Sequence, residues 1–560
     1  MRRNGSLWIL TAAVALAGVA TSARAQEISE ARIRELIKQA ADRVARGETS
    51  GDVQQPPPDG AARPIVRLTL DEAVKFALER NLDIAVQRLN PEINDIAVAS
   101  VRSVYHPSLT STLTTSSTTT PSTSTISGGA AGGDAVVAGS GIYNGGIAQS
   151  IPWGGGSMTV ALNNNRQTTT SLNTLYNPTF NTNWSGSYVQ PILRGFRIDA
   201  TRQSLRVTKI TRDISDVQLK ATITNTLSNV RNAYWDYVYA TQAVEVARQS
   251  LALATKLVQD NQTRVEVGTM APIDVVQAQS EQATRRQTLV SAESSRRTTE
   301  LTLKRLIVAG TSDPNWNAQL DPVDRPDFRP EPVDIDAAVR RALSQRTDLE
   351  IAKKNVSAND VTLKFLQDQL KPQADVTMTY GLVGLGGSQL ITTGSGVNRT
   401  VTGSIPGGYG DALSTLFGRN FPRWTLSMAF SYPLGLSAQE ASVARARVQL
   451  NQIQAQMKQI ELQVATDVTN AAVSSQNAAE AVQAAQAARE FAQRKLEAEQ
   501  SKFEVGMSTN YFVVQAQRDL ADAQNTELRQ TLNYRKSLVE LERLQQTTLQ
   551  NLNITVLAAR

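Results

Sequence analysis

Between Ser437 and Phe503 apolar residues return at every third or fourth position, at Val443, Ala446, Leu450, Ile453, Met457, Ile460 and Val464. That spacing forms one face of a helix and the seam of a coiled coil. Past Ala471 the seam turns to alanine, at Ala478, Ala481, Ala485, Ala488 and Ala492, which allows a partner helix to approach closely. A second proline-free stretch runs from about Phe196 to Arg264. At 1.5 Å of rise per residue each stretch predicts a helix about 100 Å long. Elsewhere the period falls to two. Ala374, Val376, Met378, Tyr380 and Leu382 alternate with polar or small residues, as do Trp424, Leu426, Met428, Phe430 and Tyr432. Alternation with one apolar, aromatic-rich face and one small or polar face describes a half-buried strand, and the length of these runs suits a tilted membrane-crossing strand. Weaker alternation marks 108–116 and 182–192, the latter with Trp184 and Tyr188 on one face. A soluble β-sandwich strand gives the same local pattern.

The pattern occurs twice. Val265-Glu266-Val267-Gly268-Thr269-Met270-Ala271 through Gln279 aligns with Phe503-Glu504-Val505-Gly506-Met507-Ser508-Thr509 through Gln517, with eight of fifteen positions identical. Upstream, Thr69 to Leu78 is echoed by Asp334 to Leu343, and Pro107 by Pro372. Two copies of so large a unit indicate an internal duplication. Each copy carries helix, strands, a long helix, a sharp turn at a glycine and a returning helix. Glycine supplies the left-handed backbone that commonly ends a helix. Thr110–Thr125 is almost all serine and threonine and 384–420 is rich in glycine, and both read as loops between strands. An additional hairpin is expected at 142–151 and 157–168 about Gly154-Gly155-Gly156.

Composition narrows the chemistry. The 560 residues contain no cysteine, which removes thiolate metal sites, disulfides and cysteine nucleophiles. The one histidine, His106, stands beside Pro107 at a helix-to-strand boundary, where a structural role is the plain reading. No G-x-x-x-x-G-K-[ST] motif is present. The first 25 residues read as a secretory signal, with Arg2 and Arg3, an apolar stretch from Leu7 to about Val19, and Ala23-Arg24-Ala25 as the cleavage site. Its loss lowers the formal charge from +6 to +3, a balance that argues against a nucleic-acid partner. With no cysteine near the cleavage point, no N-terminal lipid is expected. Residues 26–64 read as an N-terminal helix (27–47) and a stiff linker through Pro56-Pro57-Pro58. Four strands per chain cannot close a barrel, and lipid does not tolerate an open sheet edge, so membrane-crossing strands require an oligomer.

These features together resemble the TolC-like outer membrane factor family over nearly all of Leu68–Leu549. The motifs that carry the likeness are Leu68-Thr69-Leu70-Asp71-Glu72-Ala73 with Asn81, Pro107 and Pro372 at helix-to-strand junctions, Gln190-Pro191-Ile192-Leu193 and Tyr432-Pro433-Leu434 at the returns, and the two Val-Gly turns. The resemblance implies an α+β membrane protein. Its duplicated strand–helical hairpin repeats (65–332, with strands about 108–192 and hairpin about 196–309, and 333–560, with strands about 373–433 and hairpin about 437–548) would form one third of a trimeric barrel. That barrel has 12 strands in the family and continues into a periplasmic α-helical coiled-coil tunnel. A mixed waist would draw on about 65–81, 310–346 and the C-terminus. It implies a homotrimer in outer-membrane lipid, extending into the periplasm. As a passive exit duct it would work with a periplasmic adaptor protein and an inner-membrane pump or ABC transporter, in efflux or type I secretion, without catalysis or cofactor. A trimeric stalk or adhesin is the alternative reading.

Two departures accompany the likeness. The hairpin at 142–168 could enlarge the barrel, although an elongated outer loop is the favoured expectation. The lipid cysteine of other members is absent. The likeness also assigns the tip. Val267, Gly268, Thr269 and Met270, with Val505, Gly506, Met507 and Ser508, would touch the adaptor. The family's acidic rings, six and nine residues after the second turn glycine, fall here on Phe512 and Gln515. Its tyrosine and arginine lock falls on Phe503 and Ser508, while Asp274 keeps its acid in the first repeat. A closed entrance lined by Phe512 is therefore expected, gating by constriction rather than by charge.

Overall fold

The computed structural model describes residues 64–121, 135–171, 173–325, 327–330, 332–394, 399–432, 434 and 437–554, with Lys38. The expected signal at 1–25 and, Lys38 and Pro64 apart, the expected helix and linker at 26–64 lie outside the described residues, as does the chain after 554. The first repeat begins with strand β1 (Ile65–Leu68) and helices α1 (Leu70–Arg80) and α2 (Leu82–Arg102). Strands β2 (Ser108–Thr120), β3 (Val136–Ser150), β4 (Ser157–Thr169) and β5 (Tyr176–Pro191) follow, and then the long helix α3 (Ala200–Glu266) and its return α4 (Pro272–Ile307). A short helix α5 (Pro314–Asn317) and strand β6 (Gln319–Pro322) lead to the second repeat. That repeat holds α6 (Ile335–Gln345), α7 (Thr347–Asp368), β7 (Gln373–Thr393), β8 (Thr400–Ile405), α8 (Tyr409–Phe417) and β9 (Pro422–Ser431). It ends with α9 (Ala438–Glu504), α10 (Asn510–Gln545) and α11 (Thr548–Asn551).

The duplication is visible in the lengths. Helices α3 and α9 each have 67 residues, and α4 and α10 each have 36. The shared motif at the start of each repeat has a capping role. Thr69 and Glu72 form a reciprocal box at the start of α1, and the Asp334 side chain accepts from the Ala337 amide at the start of α6. Capping satisfies amides that have no partner within the helix. Asn81 does more than cap. Its side-chain oxygen accepts from Asp83 and Ile84 at the start of α2, while its Nδ2 donates to the Leu306 carbonyl at 2.9 Å, tying α2 to the end of the first hairpin.

At the waist β1 pairs with β6 in parallel, joining segments about 254 residues apart through Ile65↔Gln319 to Leu68↔Pro322. Helix α3 runs past this ribbon and anchors it with two buried tyrosines. The Tyr234 hydroxyl contacts the Leu68 carbonyl at 3.0 Å and the Asp324 carboxylate at 2.7 Å, and the Tyr237 hydroxyl donates to the Leu320 carbonyl. The second repeat forms its own core cluster from Ala338, Ala342, Leu349, Val464, Val468, Leu541 and Leu544. The helical seam differs in detail from the expected alanine line. Ala472, Ser475, Val482 and Ala485 are buried, whereas Ala488 is exposed within the protomer. A straight helix drifts against a strict heptad count, so one stripe cannot stay on one face through 67 residues.

The large antiparallel sheet has the order β2-β3-β4-β5-β7-β8, with β9 also paired to β7. All four expected strands are present, and two readings of the intervening segments are corrected. Thr110–Thr120 is strand rather than loop, because threonine is β-branched and favours extended backbone. The segment after 384 continues β7 to Thr393 and then forms β8 and α8. Gly384 and Gly386 allow α8 to lie directly on β7: a Cβ at Gly384 would stand 2.1 Å from the Ala412 carbonyl oxygen. The expected hairpin exists as β3 and β4, and it pairs on both sides, with β2 and with β5. It is inserted in the sheet rather than standing out as a loop.

Candidate functional site

Two surfaces concentrate the sequence-predicted residues: the turns that end the long helices, and the sheet at the opposite end. Each long helix stops in the same way. Gly268 has φ of +76° and Gly506 of +77°. In the first repeat Thr269 N donates to the Arg264 carbonyl and Gly268 N to the Val265 carbonyl; Met507 to Lys502 and Gly506 to Phe503 repeat this pattern. This is the Schellman closure, which requires a left-handed residue after the helix end. A proline then starts α4 at Pro272, where its missing amide costs no hydrogen bond.

The turns lie side by side. Asn261 and Asn510 are fully buried and bonded at 3.1 Å, and Asn510 Nδ2 reaches the Asp274 carbonyl at 3.4 Å. Arg264 of the first repeat lies over the Phe503 ring, 4.3 Å from its centroid, and donates to the Phe503 carbonyl at 3.3 Å. Phe503 is buried with Leu257, Leu496, Val513, Val514 and Leu520, and Met270 packs against the same cluster. Of the expected tip residues, Val267, Gly268, Thr269, Val505, Gly506 and Met507 are exposed, Met507 at 79%, while Met270 and Ser508 are half-buried. The Ser508 hydroxyl donates to Glu499 at 2.7 Å. Phe512 is exposed and stacks edge-on with Tyr511, so it is not packed into its own protomer's core.

Gln515 donates to the Asp519 carboxylate at 2.8 Å, and Asp519 bridges Lys495 at 2.7 Å. The Lys495 hydrogen bond holds the Asp519 carboxyl below its ordinary value. At the residue next to Asp519, Arg518 of α10 reaches Glu281 of α4, which is buried between Arg285, at 2.8 Å, and the Arg518 Nε, at 3.1 Å. Burial alone would raise the Glu281 carboxyl, but the two guanidinium groups outweigh it and hold the group low. Sequence reading missed Arg264, Glu281, Arg518 and Asp519. The positions of Arg264, one turn before the glycine, and of Glu281, nine residues after Pro272 in the returning helix, are the only signals the sequence offered.

At the other end the pairings sort side chains by face, because residues directly opposite in an antiparallel sheet share a side. Trp184, Leu382, Tyr380 and Met378 share one face with Trp424, Leu426 and Met428 of β9. Asn183, Ser185, Ser187, Thr377, Thr379, Thr425 and Ser427 share the other. Trp424, Leu426, Met428 and Phe430 are each more than 60% exposed, an apolar band that water would penalise. The path ends at β2 and β8, and β9, paired only with β7, leaves its other edge free. Among the described residues no helix is long and apolar enough to cross a membrane, and no cluster of His, Asp or Glu is placed to hold a metal ion.

The sequence matches the outer membrane efflux protein family over residues 157–308 and 338–545, and the chain belongs to that family. No curated protein matches it significantly in sequence. Among solved structures it is similar to the CmeC outer membrane channel of Campylobacter jejuni, at 14% identity, with 85% of each chain covered and a TM-score of 0.59. A membrane protein from Pseudomonas aeruginosa aligns at 15% identity over 89% of this chain and 97% of that one, with a TM-score of 0.61. The outer membrane protein VceC of Vibrio cholerae aligns at 14% identity over 85% and 95%, with a TM-score of 0.58. The likeness fixes the fold as one protomer of a barrel continuous with a helical tunnel, in the outer membrane and extending into the periplasm.

Proposed function

We propose that this chain is the exit duct of a tripartite export or type I secretion assembly. Three copies close the barrel and the tunnel, a periplasmic adaptor docks on the helical tips, and an inner-membrane pump or ABC transporter supplies the energy. The observation that carries the reading is the pair of identical tip turns at the ends of 67-residue helices, with Val267, Val505 and Met507 exposed. Exposed apolar side chains at the end of a rod favour a protein partner. A stalk or adhesin would have no use for two such tips packed together in one protomer.

The experiment is Gly506→Trp. Nothing lies within 4 Å of the side-chain direction at Gly506, so the indole projects outward from the protomer. Export in cells should be lost while trimer and membrane insertion persist; normal export would defeat tip docking, and conduction-free trimers with wild-type adhesion would favour the stalk. The gate belongs to the same proposal. The exposed ring of Phe512, with no acid at Gln515, favours an entrance closed by an apolar constriction, which excludes ions by dewetting rather than by charge.

A further inference from the structure

We propose that the β3–β4 hairpin is a lipid-facing part of the barrel wall, so that the closed trimer has eighteen spanning strands: the family's twelve and three inserted pairs. The proposal rests on the trimeric duct reading above.

Three observations carry it. The first is pairing: β3 matches β2 from Ser108↔Ala148 to Thr120↔Val136, and β4 matches β5 from Ser157↔Val189 to Gln167↔Thr179. β2 and β5 therefore do not touch, and the sheet cannot close without the hairpin between them. The second is position. The hairpin's turn lies at the helical end of the sheet, the end facing the periplasm. Gln149 Nε2 donates to the Tyr105 carbonyl at 3.3 Å, Gln190 Nε2 to the Gly154 carbonyl at 2.8 Å, and Trp153 packs edge-on against Phe196 at 5.8 Å. Tyr105 and Phe196 belong to the two junctions where the chain enters and leaves the sheet. An outer loop would turn at the opposite end. The strands are 15 and 13 residues long, enough to cross a bilayer that needs about 9–11.

The third is the alternation. Following the partners across the sheet, Leu109, Ile147, Val160, Gly186, Tyr380 and Trp424 form one row on one face. Tyr143, Met158 and Leu162 extend the apolar face over the half of the hairpin nearest its turn, and Tyr143 and Ile147 are about half exposed; farther from the turn Asn164, bonded to Tyr409 of α8, and Arg166 share that side. The opposite face carries Asn144, Thr159, Asn163, Asn165 and Gln167, beside Thr112 of β2 and Asn181 and Asn183 of β5. A hairpin in water gains nothing from apolar rows aligned with its neighbours' membrane face; a wall strand requires them.

The consequence is a wider exit. With strands about 4.8 Å apart and tilted about 40°, twelve give a barrel about 24 Å across between backbones and eighteen about 36 Å. The added wall is uncharged on its inner face, so the inserted pairs would widen the exit without adding charge to it.

Single cysteines test this in the full chain, which has no cysteine of its own. Ile147→Cys and Val160→Cys should resist a charged, membrane-impermeant maleimide and react with a lipid-soluble one. Asn144→Cys and Asn163→Cys should react with the charged reagent through the water-filled pore. Leu426→Cys and Ser427→Cys on β9 provide the matching pair on a family strand, and trimer mobility is read on the same gel. If all four hairpin sites react with the charged reagent while the β9 pair keeps its contrast, the hairpin is an outer loop and the proposal is overturned alone. Loss of contrast at β9 as well overturns both this inference and the duct reading.

Discussion

At residue scale the two turn glycines are the clearest case of sequence specifying structure. Their positive φ is a backbone state that costs other residues about 1–2 kcal/mol, and the surrounding space is open, so strain rather than collision sets the effect of substitution. Gly506→Ala should therefore lower thermal stability modestly, by about 1 kcal/mol, with export nearly intact; a calorimetric scan compares it with Gly506→Trp, whose defect should lie in docking. The buried carboxylate beneath the tip was not legible, because Glu281 and Arg518 lie 237 residues apart and nothing local pairs them. Its folded-state carboxyl sits below the ordinary 4.5, so its contribution is complete above that value and lost as pH falls through the lower folded one. Single-channel conductance should accordingly rise as pH is lowered from about 5 to 3, as the α4–α10 tie loosens. Glu281→Gln should remove that rise and raise the conductance already at neutral pH; an unchanged acid response in the variant would place the titrating group elsewhere. Tyr234→Phe deletes hydrogen bonds to Leu68 and Asp324 without opening a large cavity, and should cost about 1–2 kcal/mol at the waist, read as a lower unfolding midpoint.

At the scale of elements, the helices were read almost to the residue and the strands less well. A helix with period 3.6 over dozens of positions announces itself, whereas a strand offers few repeats. β2 was cut short because only Leu109 and Leu113 mark its apolar face among serines and threonines. β3 and β4 were found, but their place in the sheet was not, since register depends on partners distant in sequence. Helix α8 escaped altogether, hidden in a glycine-rich stretch whose glycines serve close packing on β7 rather than loop mobility. That gives an element-scale prediction. Gly384→Val would force its side chain into the Ala412 carbonyl and Leu416, and should lift α8 from the sheet. Trypsin should then cut at Arg419, just beyond the helix, several times faster than in wild type while the barrel strands stay protected.

For the whole molecule, the sheet and the helices make one demand, because neither is complete in a single chain. β2 and β9 present unpaired edges, and β9 is exposed on both faces, a state that lipid penalises by several kcal/mol per unsatisfied backbone group. Three copies joined edge to edge would pair β2 of one protomer with β9 of the next and, on the gate proposed above, would bring three Phe512 side chains to the axis at the tunnel entrance. Native mass determination in detergent should give a trimer with intact strand content, and a monomer or dimer retaining that content would refute closure. In the trimer Phe512→Asp should convert the apolar constriction into an acidic ring, which attracts cations by several kT. Wild-type channels in planar bilayers should show small conductance, weak cation selectivity and little block by multivalent cations. The variant should show strong cation selectivity and block by multivalent cations. A wild-type channel that is already strongly cation-selective, with the substitution changing neither selectivity nor conductance, would move the constriction away from Phe512 and leave Asp274 as the acid nearest the entrance.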